Sequence, residues 1–335
     1  MKKRIAINGF GRIGRIVYKL LIKNDNVDIV AINATTTPEE LVYLLKYDTI
    51  FGKFDEEVYA TPDGISCMGK ETKLCSERDA LYLPWDTLGI DLVVDCTGAY
   101  TKLEDAKKHI AAGASAVIIS APGKGEMKTI VYGVNEGTLD GSEEVISAAS
   151  CTTNCLAPVL KVLNDNFGIK SGFMTTVHAY TNDQVNLDVK HKKGYMTRRG
   201  RACALNIIPT STGAASAIGK VIPELEGRLS GNALRVPVGD GSMIDLTLRL
   251  YKNTTAEEIN NVFKMNVSDV LNYTEDPVVS SDVIGSSVGA LVDGLLTEVV
   301  DSNGEQLVKV VAWYDNEYGY TSQMVRTINY YLDLK

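Results

Sequence analysis

The chain has 335 residues, too many for one ordinary hydrophobic core and enough for two. Hydrophobic residues at 45% and charged residues at 23% make an ordinary globular mixture, and no apolar run reaches the length of a membrane-spanning helix. A net charge of −8 argues against non-specific nucleic-acid binding, so anionic ligands need a local cluster of Arg and backbone N–H groups.

The start, Met1-Lys2-Lys3-Arg4, is basic, but the apolar run behind it stops at Asn8 and Gly9. A signal peptide needs a longer apolar core, so the expectation is a cytoplasmic protein with no membrane contact. Residues 3–7 form a short apolar strand, and Asn8-Gly9-Phe10-Gly11-Arg12-Ile13-Gly14 follows directly. Ile13, Ile16, Val17, Leu20 and Leu21 then repeat at helical spacing, placing a G-x-G-x-x-G turn between strand and helix. Gly9 suits the tight turn, Gly11 a close approach of backbone to a pyrophosphate, and Gly14 helix-on-strand packing. The pyrophosphate would rest on the helix N-terminus.

The second strand spans 27–33. A carboxylate normally follows it and binds both hydroxyls of the adenosine ribose, but Ala34 stands there instead. Thr37-Pro38-Glu39-Glu40 reads as a helix start, with Thr37 as N-cap and Glu40 closing a capping box. Thr35 and Thr36 are left to offer hydroxyls toward a ribose 2′-phosphate. Strands over 92–97 and 116–120, with a helix over 103–112 between them, extend a parallel, doubly wound α/β sheet.

A further strand over 144–148 runs into Ser150-Cys151-Thr152-Thr153-Asn154-Cys155, and Leu156, Val159, Leu160 and Leu163 continue at helical spacing. Cys151 therefore sits at a strand-to-helix turn, near backbone N–H groups and the positive helix end. Such surroundings favour the thiolate and predict a thiol below its ordinary value. His178, on the next predicted strand, is the candidate base. Taken singly, this Cys and His would read as a buried thiol and a core histidine; the turn and its hydroxyl neighbours favour the reactive pair. The other cysteines lack framework spacing, and Cys151 and Cys155 have no second pair or His cluster to complete a metal site. No metal is expected, and no repeat, low-complexity tract or linker is found.

Five ordered motifs resemble phosphorylating glyceraldehyde-3-phosphate dehydrogenases over essentially the whole length. They are the stretch from Ile7 to Arg15, that from Ala149 to Cys155, that from Thr175 to Thr181, Ser211-Thr212-Gly213-Ala214-Ala215 and Trp313-Tyr314-Asp315-Asn316-Glu317. The resemblance implies a Rossmann NAD(P)-binding domain over 1–150, joined by a returning C-terminal helix at 316–335. It implies an α+β catalytic domain with a mixed or antiparallel sheet over 151–315, usually in a homotetramer. Cys151 would be the nucleophile and His178 the acid–base group. Ser150, Thr152, Thr181, Arg201, Thr212, Gly213 and Arg235 match positions holding the substrate phosphate and the attacking phosphate, while Gly9, Gly11, Arg12, Ile13, Gly14, Thr35, Arg78, Ser120 and Asn316 fall to the cofactor. Cys155 reads as packing, and His109 and His191 as surface or structural residues.

The departures from the family concern the cofactor. NAD-using members generally carry an acid at the Ala34 position and a Leu-Pro pair where Val189-Lys190 stands. These changes imply that NADP is tolerated and preferred, with NAD the other possibility. The loop near Gly194-Tyr195-Met196 is longer than usual, and Gly239-Asp240-Gly241 replaces a usual Pro-Asn stretch, without a functional reading. The expected activity is reversible oxidative phosphorylation of glyceraldehyde 3-phosphate to 1,3-bisphosphoglycerate, in glycolysis or gluconeogenesis. The alternatives are erythrose-4-phosphate dehydrogenase and, outside enzymes, a dinucleotide-binding redox-sensing thiol protein.

Overall fold

The structure is a computed structural model and describes residues 2–335. These divide into two compact units, one of 2–130, 136–149 and 324–335, the other of 131–135 and 150–323.

The first unit carries a nine-stranded sheet. Lys128–Thr129, Val145–Ser147, Val117–Ile119, Leu92–Asp95, Lys3–Asn8, Val27–Asn33 and Lys70–Cys75 lie side by side in that order, all parallel. Gly64–Cys67 and Val58–Thr61 add an antiparallel tail that the sequence reading did not contain. The predicted strands stand within a residue or two of their expected limits, and the helix Leu103–Ala111 nearly fills its own. Ile5, Ile7, Val17, Leu21 and Ile32 pack on one side of the sheet, joined by Met324, Ile328 and Tyr331 from the end of the chain. Val93, Val117, Trp85 and Ala106 fill the other side, so the sheet is covered on both faces as a parallel sheet requires.

His109 lies fully buried in this unit, which settles its role as structural. Its Nδ1 accepts from Trp85 Nε1 at 3.0 Å, so Nε2 carries the proton and faces Asp95 Oδ2 at 3.4 Å. Asp95 also accepts from Asn8, and Asn8 Oδ1 accepts from Asn33 at 2.7 Å. The ends of the first, second and third predicted strands are thus tied together by buried polar groups.

The second unit is built on an eight-stranded mixed sheet. Ile169–Ala179 lies at its centre, parallel to Leu229–Val236 and antiparallel to Ser242–Leu250, which pairs in turn with Glu305–Tyr314. The helix Cys151–Phe167 is almost wholly buried along its first three turns. No helix among the described residues is long and apolar enough to cross a membrane.

Candidate active site

Ala149 adopts a left-handed backbone (φ 58°), an arrangement that strains any residue with a side chain and that turns the chain sharply ahead of the helix. Ser150 caps the helix, its hydroxyl accepting from the Thr153 N–H at 3.2 Å, and Cys151 is the first helical residue. Cys151 Sγ lies 3.4 Å from His178 Nε2.

The tautomer of His178 follows from its other nitrogen. Nδ1 stands 2.7 Å from the Ala179 carbonyl, which can only accept, so Nδ1 carries the proton and Nε2 presents a lone pair to the sulfur. Burial, and then the nearby Arg235 charge, push the imidazole down to about 3, so the ring is a neutral base at physiological pH. Burial also pushes the Cys151 thiol up, against the pull of Arg235, the Thr152 hydroxyl and the backbone N–H groups of Thr152 and Cys151. The expectation of a thiol already below its ordinary value is therefore corrected: desolvation outweighs the helix end. The resting pair is thiol and imidazole, and the thiolate forms by passing its proton 3.4 Å to Nε2.

The sheet register supplies the cation. His178 and Arg235 are direct partners on adjacent parallel strands. Arg235 Nη1 donates to Ala179 O at 2.8 Å and to Thr181 Oγ1 at 3.0 Å, while its buried Nε has no partner. Thr181 Oγ1 donates to Asp183 Oδ1 at 2.6 Å, and Asp183 is also paired with Arg199. Arg199 further donates to Thr210 Oγ1 at 3.2 Å. An unpartnered guanidinium donor within a half-buried cationic cluster is suited to an anion with several acceptor oxygens. Tyr314 closes the floor, its hydroxyl 3.0 Å from Thr152 Oγ1 and 2.8 Å from Thr176 Oγ1.

In the first unit the glycine turn has the shape that a dinucleotide needs. Gly9 has φ 90°, and a Cβ there would meet Thr97 at 2.8 Å. A Cβ on Gly14 would stand 2.1 Å from the Gly9 carbonyl, so helix and turn fit only without a side chain. Gly11, the N-cap of the helix Arg12–Leu21, faces open space, which leaves the backbone approachable. A cavity of about 440 Å³ opens beside this turn, walled by Asn33, Ala34, Thr35, Thr36, Arg78 and Thr97 among others.

Residues 3–103 match the family model of the glyceraldehyde 3-phosphate dehydrogenase NAD binding domain, and residues 150–316 that of the C-terminal domain. The chain belongs to the glyceraldehyde-3-phosphate dehydrogenase family. It is 54% identical over 328 residues to glyceraldehyde-3-phosphate dehydrogenases of Clostridium pasteurianum and Clostridium acetobutylicum, covering 98% of this chain and of each relative. With that of Streptococcus pyogenes it shares 50% over 332 residues, 99% of this chain and 98% of the relative.

Against this family background, the second unit brings together Ser150, Cys151, Thr152, His178, Thr181 and Arg235. Thr212 accepts from the Ala214 N–H at 3.2 Å, and Gly213 caps the short helix Ala214–Ala217. Arg201 is not in the cluster: it is exposed and pairs with Asp188 at 2.6 Å. Arg199, which the sequence reading passed over, holds the place beside Asp183. The run Arg198-Arg199-Gly200-Arg201 offers three arginines, and spacing alone cannot choose among them. Tyr314 and Asp183 were also missed; Tyr314 acts through the sheet register, which a single sequence does not display, and Asp183 through the path of the loop that follows the strand Ile169–Ala179.

Of the cofactor residues, Thr35 and Arg78 line the cavity, and Ile13 packs against the core under the turn. Arg12 is held by a two-pronged pair with Asp48, 3.1 Å on each arm, leaving its backbone at the helix start. Ser120 donates its N–H to Asp95 O at 2.8 Å at the end of the parallel strands. Asn316 Oδ1 accepts from Ser242 Oγ at 2.6 Å, and Ser242 accepts in turn from the Ala179 N–H. This fixes the amide of Asn316 with its Nδ2 donor end turned from Ser242. Thr37 and Glu40 form the predicted capping box. Thr36, however, is not left over for a ligand, because its hydroxyl donates to Glu40.

Proposed function

We propose that this chain oxidises glyceraldehyde 3-phosphate reversibly to 1,3-bisphosphoglycerate, with inorganic phosphate as co-substrate and a nicotinamide dinucleotide as oxidant. The observation carrying the reading is a thiol 3.4 Å from the bare nitrogen of a neutral imidazole, next to a buried arginine whose Nε lacks a partner.

The chemistry of the chain's own groups follows. His178 Nε2 takes the thiol proton as Cys151 Sγ bonds to the aldehyde carbon, giving a hemithioacetal. The imidazolium stabilises the developing alkoxide by giving it that proton, and the neutral Nε2 takes the proton back from the hemithioacetal hydroxyl as hydride leaves the carbon and the thioester carbonyl forms. The nicotinamide, when bound, accepts the hydride lost from that carbon. A phosphate oxygen next attacks the thioester carbonyl, the C–S bond breaks, and Cys151 leaves as thiolate. Arg235, Thr181 and Arg199 are assigned to the anionic groups, together with Ser150, Thr152, Thr212 and Gly213. Gly9, Gly11, Gly14 and the wall near Arg78 hold the dinucleotide, and the Asn316 amide orients its nicotinamide.

For the cofactor we propose use of both NAD and NADP, with the leaning to NADP resting on Ala34. A methyl group neither binds ribose hydroxyls nor repels a 2′-phosphate, and relief of one such repulsion is worth about 1–4 kcal/mol. Arg78 on the same wall favours the phosphate. The Glu40 carboxylate, held against Thr36 and the Thr37 N–H, opposes it. We further propose a cytoplasmic homotetramer; the exposed Phe173, Leu187, Val189, Tyr195, Leu205 and Ile207 of the second unit are apolar surface that assembly would cover.

Initial rates test this directly. Oxidation of glyceraldehyde 3-phosphate should depend on phosphate and exceed oxidation of erythrose 4-phosphate. Rates indifferent to phosphate, or higher with the four-carbon aldehyde, would overturn the assignment.

A further inference from the structure

Asp240 is a carboxyl group with nowhere to put its charge. It is 1% exposed, in the turn between the strands Leu229–Val236 and Ser242–Leu250. One oxygen accepts the Gly241 N–H at 2.8 Å; the other, Oδ2, is buried without an acceptable donor. The turn is fixed, because Gly241 has φ 84° and a Cβ there would lie 2.0 Å from the Ser280 carbonyl. Ser242 pairs with Tyr314 across the antiparallel ladder, and that register carries Asp240 against the segment beginning at Asp315.

Asp315 is fully buried and is the better place for a negative charge. It accepts N–H groups from Gly285 at 2.7 Å, Glu317 at 2.8 Å and Tyr318 at 2.6 Å. Those bonds clamp the segment that carries Asn316. Two buried carboxylates that face one another repel when both are ionised, so one of them is held protonated. The charged groups facing Asp240 are the carboxylates of Asp315 and Glu317, so the surroundings add only repulsion.

We propose that Asp240 is a protonated positioning residue, donating its carboxyl proton to Asp315 and thereby holding Asn316 where it meets the cofactor. Loss of that proton sets two carboxylates against each other, loosens the clamp and draws Asn316 from Ser242. Burial and the Asp315 charge push Asp240 up to about 8, so the loss falls within reach of ordinary alkaline conditions. Asp240 does not touch the reacting atoms; it acts through Asp315 and Asn316. The inference rests on the dehydrogenase reading for the identity of the ligand.

The test is NADH binding by the purified enzyme, followed by fluorescence from about pH 6 to about pH 9.5. In the native protein the Kd should be flat below the midpoint and weaken by up to about tenfold per pH unit above it. Asp240→Asn keeps the shape and a donor toward Asp315 but cannot ionise, so its Kd should stay flat. Asp315→Asn removes the partner charge and should also abolish the alkaline limb, which covers the case in which the first variant does not fold. Infrared difference spectra over the same range should show a protonated carboxyl band that the native protein loses and Asp240→Asn lacks. The same alkaline limb in native and variant proteins, or no such carboxyl band, overturns the proposal. No NADH binding at any pH would instead sink the dehydrogenase reading.

Discussion

His178 and Arg235 donate to one and the same acceptor, the Ala179 carbonyl oxygen, from neighbouring positions on two parallel strands. The arrangement orients the imidazole and sets a guanidinium close to it. The positive charge disfavours imidazolium and favours thiolate, so it makes His178 the weaker base and Cys151 the stronger acid. Burial opposes the second effect. What results is a pair that stays neutral at rest and separates charge only within itself.

A first prediction follows for the pair. His178→Asn removes the acceptor 3.4 Å from the sulfur and leaves the raised thiol alone. Oxidation should fall by about 10²–10⁴-fold, the usual worth of a positioned acid–base group. Labelling of Cys151 by iodoacetamide near neutral pH should slow as well, and recover as the pH is raised toward the thiol's own value. Cys151→Ser should lose oxidation altogether, since a hydroxyl supplies no comparable nucleophile. Unchanged labelling of the His178→Asn protein at neutral pH would show that Nε2 is not the proton acceptor.

The arginines make a second, comparative prediction. Arg235→Leu and Arg199→Leu each remove charge-assisted hydrogen bonds worth about 1.5–3 kcal/mol, so kcat/KM should drop about ten- to hundredfold. Arg201→Leu breaks only an exposed, solvent-screened pair with Asp188. It should change kcat/KM by no more than about fivefold. Steady-state kinetics on the three variants, varying aldehyde and phosphate in turn, gives the ranking. A loss with Arg201→Leu as deep as with Arg199→Leu would return the sequence-based choice to favour.

Local chemistry explains what could be read from the sequence. The glycine turn, the Thr37–Glu40 capping box and the Ser150–Cys151 helix start each depend on residues a few positions apart, and all stand where spacing put them. The tail from Val58–Thr61 to Lys70–Cys75 was missed because its strands are short and alternate polar with apolar residues weakly. Arg199, Asp183 and Tyr314 were missed for another reason. Tyr314 matters through which strand lies beside which, a property of the whole fold, while Arg199 and Asp183 meet through the path of the long loop between the strands Ile169–Ala179 and Ile208–Ser211. The sign of the Cys151 shift also escaped, since a helix end is visible in the sequence while desolvation is not.

The proposed leaning to NADP sets two residues of opposite effect against each other. Ala34→Asp restores a carboxylate at the strand end, and should weaken NADP and strengthen NAD, moving the ratio of their kcat/KM by tenfold or more, about 1.4 kcal/mol. Glu40→Gln keeps an acceptor for the Thr37 cap while removing the charge near Thr36, and should shift the ratio toward NADP. Its effect should be smaller, because Glu40 is exposed and well solvated. Measuring both cofactors in the native enzyme and each variant settles the matter. A native preference for NAD of tenfold or more, or a ratio unmoved by Ala34→Asp, sinks the NADP reading.

The Asp240 carboxyl also leaves a mark on stability, with a definite sign. Its folded value, pushed up to about 8, lies far above the ordinary 3.8, and that of Asp315 is raised too. Between those limits the folded protein keeps a proton that the unfolded chain has released. Stability therefore falls as pH rises through that window and changes no further from this group above about 8. Each pH unit within the window carries at most about 1.4 kcal/mol, and a chain of this size loses roughly 1–2 °C of Tm per kcal/mol. Asp240→Asn abolishes the dependence. Its Tm relative to the native protein should thus be least favourable near pH 5, improve steadily to about pH 8, and level off beyond. Calorimetric scans of both proteins at matched ionic strength give the difference curve, and a difference that is flat from about pH 5 to about pH 8 would mean that the buried proton does not reside on Asp240.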